Sequence, residues 1–365
     1  MIYLDNASTT PLCEAARKAI IEHLDDFGNP SSSYEFGRKS RLLIEDARAR
    51  IAKCINAEPS EIYFTSGGSE ANSWALSQSV AITSMFEHHS VKGHGCIIPN
   101  KDGIIDINKA SQIIDESRQQ YWFGPDIVSC MMVNNEIGTI QPVSEIAKIA
   151  HDNAVYFHAD AVQAMGYVPV DVKVIGCDML SASGHKFGAS KGVGFLYIKE
   201  GAYNPPVLIH GGRQERNMRG STENVLGIIA MAAALEDAIN HMEERNKYIK
   251  SLRDNMLDKL LNIQGSHLNG SLEHRVASNI NIRFDGVSGR TLVTLCDLYS
   301  ICISAGSACN EGVATPSHVL KAIELSDEEA LSSIRITIGH QNTEGEINEA
   351  AEIITQLVER IRNND

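Results

Sequence analysis

Asp178-Met-Leu-Ser-Ala-Ser-Gly-His-Lys-Phe-Gly188, followed by Lys191-Gly-Val-Gly-Phe-Leu-Tyr-Ile198, decides how this chain is read. Two short apolar runs flank a turn of small residues, so the segment predicts strand, turn, strand. Lys186 stands at the end of the apolar approach, and buried lysines are rare unless paired or chemically used. Two readings stay open on this segment alone. One is a surface turn lysine. The other is a Schiff-base lysine for pyridoxal phosphate, which needs a depressed pKa and close backbone.

Outward from this segment, helices and strands alternate. Helix signals lie at 12–26, 38–55, 69–80 and 143–152, and apolar runs that read as strands lie at 61–65, 127–133, 155–158, 177–182 and 193–198. Such alternation predicts an α/β protein with a mostly parallel, covered sheet. A long helix is expected near 226–262. Beyond it, strands at 276–284 and 333–338 and helices at 289–297, 315–323 and 343–362 suggest a smaller α+β unit. The expected organisation is a large domain over 15–233 and a small one made of 1–14 and 234–365.

Composition narrows the function classes. The 365 residues carry a formal net charge of −14, which disfavours direct nucleic-acid binding through phosphates. No apolar run reaches membrane-spanning length and no basic leader precedes an apolar stretch, so a cytoplasmic location without a membrane is expected. Eight scattered cysteines form no C-x-x-C pair, which argues against a resident metal site or a disulfide framework.

Five further segments carry chemistry, each with a plainer alternative. In Phe64-Thr-Ser-Gly-Gly-Ser-Glu-Ala-Asn72, a strand gives way to a helix, where Gly68 and Ser69 could hold an anion or simply cap the helix. Val155-Tyr-Phe-His-Ala-Asp-Ala-Val-Gln163 puts His158, Asp160 and Gln163 at a strand's C-terminal end, where ligands bind in open α/β sheets. Asp160 could pair with a pyridinium N–H or cap the next helix. Asn135, in Val133-Asn-Asn-Glu-Ile-Gly138, could meet a cofactor oxygen or belong to a polar turn. Cys309, in Ser304-Ala-Gly-Ser-Ala-Cys-Asn-Glu-Gly312, is a loop thiol that is either incidental or a nucleophile carried between a cofactor and an acceptor. Arg335, in Ser333-Ile-Arg-Ile-Thr-Ile-Gly339, suits a substrate carboxylate or an internal ion pair.

In this order and spacing, the segments closely resemble the cysteine desulfurases of class-V aminotransferase type, from Tyr3-Leu-Asp-Asn-Ala-Ser-Thr-Thr-Pro11 to Arg335 and the last helix. The resemblance implies the pyridoxal-phosphate type I aminotransferase fold and a homodimer. It implies that Lys186 is the Schiff-base lysine, Asp160 the pyridinium partner and Gln163 the residue bonding the phenolic oxygen. His88, in Glu87-His-His-Ser90, matches the histidine that stacks on the ring and moves protons; His89 has no such match. Gly68, Ser69, Ser183 and His185 resemble the phosphate cradle, and Thr222, in Met218-Arg-Gly-Ser-Thr222, a phosphate contact from the other subunit. Asn135 and Arg335 match the residues facing substrate. Cys309 matches the persulfide-forming cysteine, and Ser-x-Gly-Ser-Ala-Cys is the signature of the long-loop subtype.

The implied reaction takes sulfur from L-cysteine, gives L-alanine, and leaves a persulfide on Cys309 for an acceptor protein. An iron–sulfur scaffold or a tRNA-thiolation carrier would fit as acceptor, and Cys309 could share a nascent cluster with a scaffold. The alternatives are a selenocysteine lyase or another class-V lyase or transaminase, and a non-catalytic cofactor-binding scaffold. The chain departs from the family pattern at several places. Tyr34 follows Gly28-Asn-Pro-Ser-Ser-Ser33 where a histidine is usual, and Arg213 replaces a glycine in His210-Gly-Gly-Arg-Gln-Glu215. The 89–101 stretch is short, a Gln119-Gln-Tyr-Trp-Phe-Gly-Pro-Asp126 insert follows, and Asn310 and Glu311 succeed the cysteine.

Overall fold

The computed structural model describes residues 1–91, 93, 96–120, 125–305, 309, 310 and 313–363; of 96, 119, 120, 309, 310, 313 and 314 only the backbone is described. Among these residues, seven strands form the larger sheet: β1 (Ile62–Thr65), β2 (Ala81–Ser84), β3 (Cys96–Ile97), β4 (Ile127–Met131), β5 (Tyr156–Asp160), β6 (Met179–Ser183) and β7 (Gly194–Ile198). Their order is β1-β7-β6-β5-β4-β2-β3. All neighbours are parallel except at β7, which runs against both β1 and β6. The protein is thus α/β with a mostly parallel central sheet. The expected strands at 61–65, 127–133, 155–158, 177–182 and 193–198 all lie in it. The sequence pattern missed β2 and β3, and also the helix Ile107–Gln120.

β4 to β7 are buried nearly throughout, as strands covered on both faces must be. Phe157, Phe195 and Leu180 join Ile44 and Ile51 of the helix Glu35–Cys54 and Ile228 and Leu235 in one core. Each such side chain contributes about 1.5–3 kcal/mol by leaving water.

The single long helix expected near 226–262 is two. Helix α1 (Val225–Asn240) and helix α2 (Met242–Leu261) meet at His241 with a 70° bend. No proline or glycine marks the break. The burial pattern explains it: α1 is apolar on every side as far as Leu235 and packs in the large core, whereas α2 buries a stripe of Ile249, Leu252, Met256 and Leu260 in a second core. That second core lies against a four-stranded antiparallel sheet, β8 (Ser266–Leu268), β9 (Asn279–Phe284), β10 (Ser304–Ala305) and β11 (Ser333–Thr337), ordered β10-β11-β9-β8. Among the described residues no single helix is long and apolar enough to cross a membrane.

The N-terminal residues join this second sheet region. Ile2–Tyr3 pairs in parallel with Ile301–Cys302, and Asp5 bridges Thr337 at the end of β11. The backbone of Cys309–Asn310 pairs with Val313–Ala314. The Cys309 thiol, the side chain of Asn310 and Glu311 lie outside the described residues. So do residues 121–124 of the Gln119–Asp126 insert, and residues 92, 94 and 95 of the short 89–101 stretch.

Candidate active site

The chain ends β6 at Ser183 and turns through Gly184–Lys186. The turn admits little bulk. A Cβ on Gly184 would stand 3.1 Å from Ala189 Cβ and Val193 Cγ1, and Gly188 has φ +95° with its Cβ position 3.0 Å from Cys13. This tight turn puts Lys186 over a cavity of about 610 Å³, a size that suits a small-molecule cofactor. Lys186 Nζ donates to the carbonyls of Ala7 (2.6 Å) and Ser8 (2.8 Å). Burial, and then the nearby Arg335, push its pKa down to about 8.

The predicted residues Gly68, Ser69, His88, Asn135, Asp160, Gln163, Ser183, His185 and Arg335 line the same cavity. Asp160 closes β5 and is almost fully buried. Its Oδ1 accepts from Val162 N (2.9 Å) and its Oδ2 from Asn72 Nδ2 (2.7 Å). Burial holds its pKa above the ordinary value. Asn72 Nδ2 also donates to Ser90 Oγ (2.9 Å), and Ser90 N donates to His88 Nδ1 (3.1 Å). Because Nδ1 accepts, the His88 proton resides on Nε2, and burial lowers the ring's pKa and keeps it neutral. Gln163 Nε2 donates to Ala7 O (2.9 Å).

One wall is the N-terminus of the helix Gly68–Ala75. Gly67 at the cap provides no side-chain hydrogen bond, so the first N–H groups of the helix remain available to an anion. A Cβ on Gly68 would lie 2.6 Å from Val162 Cγ2, so only glycine lets the backbone sit this close to the strand-end loop. His185 Nδ1 lies 3.2 Å from Thr9 Oγ1; burial and then Lys186 depress its pKa to about 4. Arg335, also in the lining, donates from NH1 to Asn135 O (2.8 Å) and from NH2 to Asp5 Oδ1 (2.8 Å), while buried Nε has no partner.

Not every expected residue converges here. Thr222 is exposed and does not line the Lys186 cavity of its own chain; it borders an adjoining hollow with Glu215 and Arg219 that shares Ser66 and Gly192 with that cavity. His158, grouped with Asp160 in the sequence, is tied inside the sheet between Ser129 Oγ (2.8 Å) and Ser181 Oγ (2.9 Å). Burial drives its pKa down to about 3, so it is a neutral core histidine. His89 stacks on His318 with ring centroids 4.6 Å apart. Among the described residues no cluster of three or more His, Cys, Asp or Glu is placed to hold a metal.

Sequence reading missed Asp5, Ala7, Ser8, Asn72 and Ser90. Asn72 did leave a signal: it lies four residues after Gly68, on the Ala71–Ala75 face of its helix, where a polar side chain needs a buried partner. The carbonyls of Ala7 and Ser8 leave none.

Known proteins place this geometry in context. The chain is 41% identical to cysteine desulfurase IscS of Methanosarcina thermophila over 378 residues, covering 99% of this chain and 93% of that protein. It is likewise 41% identical to cysteine desulfurase IscS of Dictyoglomus turgidum, covering 99% and 95%. Among solved structures, the NifS-like protein of Rickettsia africae superimposes with a TM-score of 0.89 at 30% identity, covering 98% of this chain and 99% of that one. Class-V aminotransferases depend on pyridoxal phosphate, and the cavity fits it. A low-pKa lysine, a buried carboxylate, a neutral imidazole and an uncapped helix N-terminus surround one space of suitable size. The class-V aminotransferase description matches residues 2–349, and the chain belongs to that family.

Proposed function

We propose that this protein is a cysteine desulfurase that converts L-cysteine to L-alanine and holds the sulfur as a persulfide on Cys309. The observation that carries the reading is the convergence of Lys186, Asp160, His88 and Arg335 on one cavity. When bound, pyridoxal phosphate supplies an electron sink for the substrate's α-carbon.

The chain's own residues divide the remaining work. Lys186 would hold the cofactor, and its lowered pKa suits a base near neutral pH. Asp160, fixed by Asn72, keeps the ring nitrogen protonated. His88, which lines the cavity, would lie against the cofactor ring and move protons through Nε2. Gln163 bonds the phenolic oxygen, and Asn135 faces both cofactor and substrate. Gly68, Ser69, Ser183 and His185 cradle the phosphate, with Thr222 donated by the second subunit of a homodimer. Arg335 takes the substrate carboxylate. The Cys309 thiolate attacks the substrate sulfur: the S–S bond forms, the Cβ–S bond breaks, and its electron pair stays with the carbon skeleton, which is protonated on the way to alanine.

We propose further that residues 15–233 form the cofactor-binding unit and that 1–14 with 234–365 carry the cysteine loop and Arg335. The acceptor is another protein, an iron–sulfur scaffold or a tRNA-thiolation carrier, and the reaction runs in the cytoplasm. A homodimer is supported by exposed apolar side chains on one N-terminal stretch, Leu24, Phe27, Phe36 and Leu42. The activity test measures alanine from L-cysteine. Wild type releases it, and Lys186→Ala and Cys309→Ala do not. Alanine release that is unchanged in Cys309→Ala sinks the desulfurase reading and favours a lyase that needs no protein thiol, with selenocysteine as the substrate to try next.

A further inference from the structure

Arg335 is held from two sides, and only one of its holders faces the cavity. Asn135 and Arg335 line that space; Asp5 does not. Asp5 grips NH2 from behind at 2.8 Å, with both side chains largely buried at 19% and 11% exposure. Asp5 is itself rigidly placed. Its backbone bridges Thr337, two residues beyond Arg335 in β11 and therefore on the same face of the strand. Its carbonyl accepts from Tyr3 OH (3.0 Å) and Ser8 N (3.0 Å). The next residue is pinned as well, since Asn6 Nδ2 donates to Thr337 O at 2.8 Å. The guanidinium lines the cavity, and NH1 and NH2 each carry a second N–H beyond those given to Asn135 and Asp5.

We propose that Asp5 is the positioning residue for the substrate's carboxylate: it locks the Arg335 fork in the rotamer that turns its free N–H groups toward the cavity. Arg335 is a long side chain whose rotamer freedom would otherwise be lost each time substrate binds, so a fixed fork lowers that cost. The pairing also gives a reason for the bridge that ties Asp5 to the end of β11. The N-terminal segment brings a carboxylate to the rear of the substrate site while the carbonyls of Ala7 and Ser8 meet Lys186.

This inference rests on the reading of Arg335 as the carboxylate receptor, and the experiment separates the two. With cofactor-loaded protein, kcat and KM for L-cysteine are measured in wild type, Asp5→Ala, Asp5→Asn and Arg335→Ala. Calorimetric binding of 3-mercaptopropionate, a thiol monocarboxylate without an amine, is measured alongside. Asp5→Ala should raise KM and weaken 3-mercaptopropionate binding by about tenfold, with kcat within about threefold of wild type. Asp5→Asn keeps an acceptor at Oδ1 and should recover most of the loss; it also serves if Asp5→Ala fails to fold. Asp5 variants that bind 3-mercaptopropionate like wild type, while Arg335→Ala loses it, overturn the role of Asp5 alone. Unchanged binding in Arg335→Ala as well overturns both statements.

Discussion

The Lys186 amine should titrate far below an ordinary lysine, and this can be read directly. Its pKa is pushed down to about 8 from 10.5, first by burial and then by Arg335, with Asp5 and Asp160 acting in the opposite sense. That difference corresponds to roughly 3 kcal/mol between its charged and neutral forms. At pH near 7.5 about a quarter of the protein would carry neutral Lys186, against about one molecule in a thousand for an ordinary lysine. Only the neutral amine attacks an aldehyde. The assay is the rate at which cofactor-free protein captures pyridoxal phosphate covalently, followed by absorbance across pH and compared with a free alkylamine. The rate should level off above a midpoint near 8. Arg335→Gln should move the midpoint up, and Asp160→Asn should move it down. A rate that still climbs tenfold per pH unit beyond about 9.5 would refute the reasoning, because burial would then have no hold on the amine.

Two further outcomes follow from groups outside the cavity's direct chemistry. Glu87 is buried behind His88, its Oε1 accepts from Ser84 Oγ and Met131 N, and burial raises its pKa to about 8. From pH 4.5 upward the unfolded chain releases this proton while the folded chain keeps it, so stability falls as pH rises toward 8. Glu87→Gln keeps an oxygen acceptor and removes the titration; by denaturant melts it should gain a few kcal/mol on wild type as pH goes from 5 to 8, and a gap that does not widen with pH contradicts the burial argument. Phe27, 80% exposed, packs its ring only 5.3 Å from that of Phe36, itself 58% exposed. If the proposed homodimer uses this face, Phe27→Asp should shift it toward monomer in sedimentation, and an unshifted dimer would place the interface elsewhere.

How much of this was legible in the chain depends on range. Asp160 and Gln163 could be read because one strand end places both, and Lys186 because a lysine between two apolar strands invites a chemical explanation. The sheet order and the break at His241 could not. No local residue forces that bend; it follows from α1 and α2 serving different cores, which only long-range packing decides. β2, reading Ala-Ile-Thr-Ser, is too short and too polar to stand out, yet it is wholly buried between its neighbours. His158 shows the converse: it shares a face of β5 with Asp160, but it sits two residues back from the strand end, where serines of the neighbouring strands engage both its ring nitrogens. Asp5 stayed invisible because its partner Arg335 is 330 residues away.

The most direct test of the central claim is a single turnover. Cofactor-loaded protein is mixed with one equivalent of L-cysteine, alanine is counted, and the protein is digested under non-reducing conditions for mass spectrometry. The account predicts one alanine per added sulfur atom, with that sulfur on the peptide containing Cys309, and neither signal in Lys186→Ala. Alanine formed without added mass on Cys309, or with the sulfur on another of the eight cysteines, would contradict it.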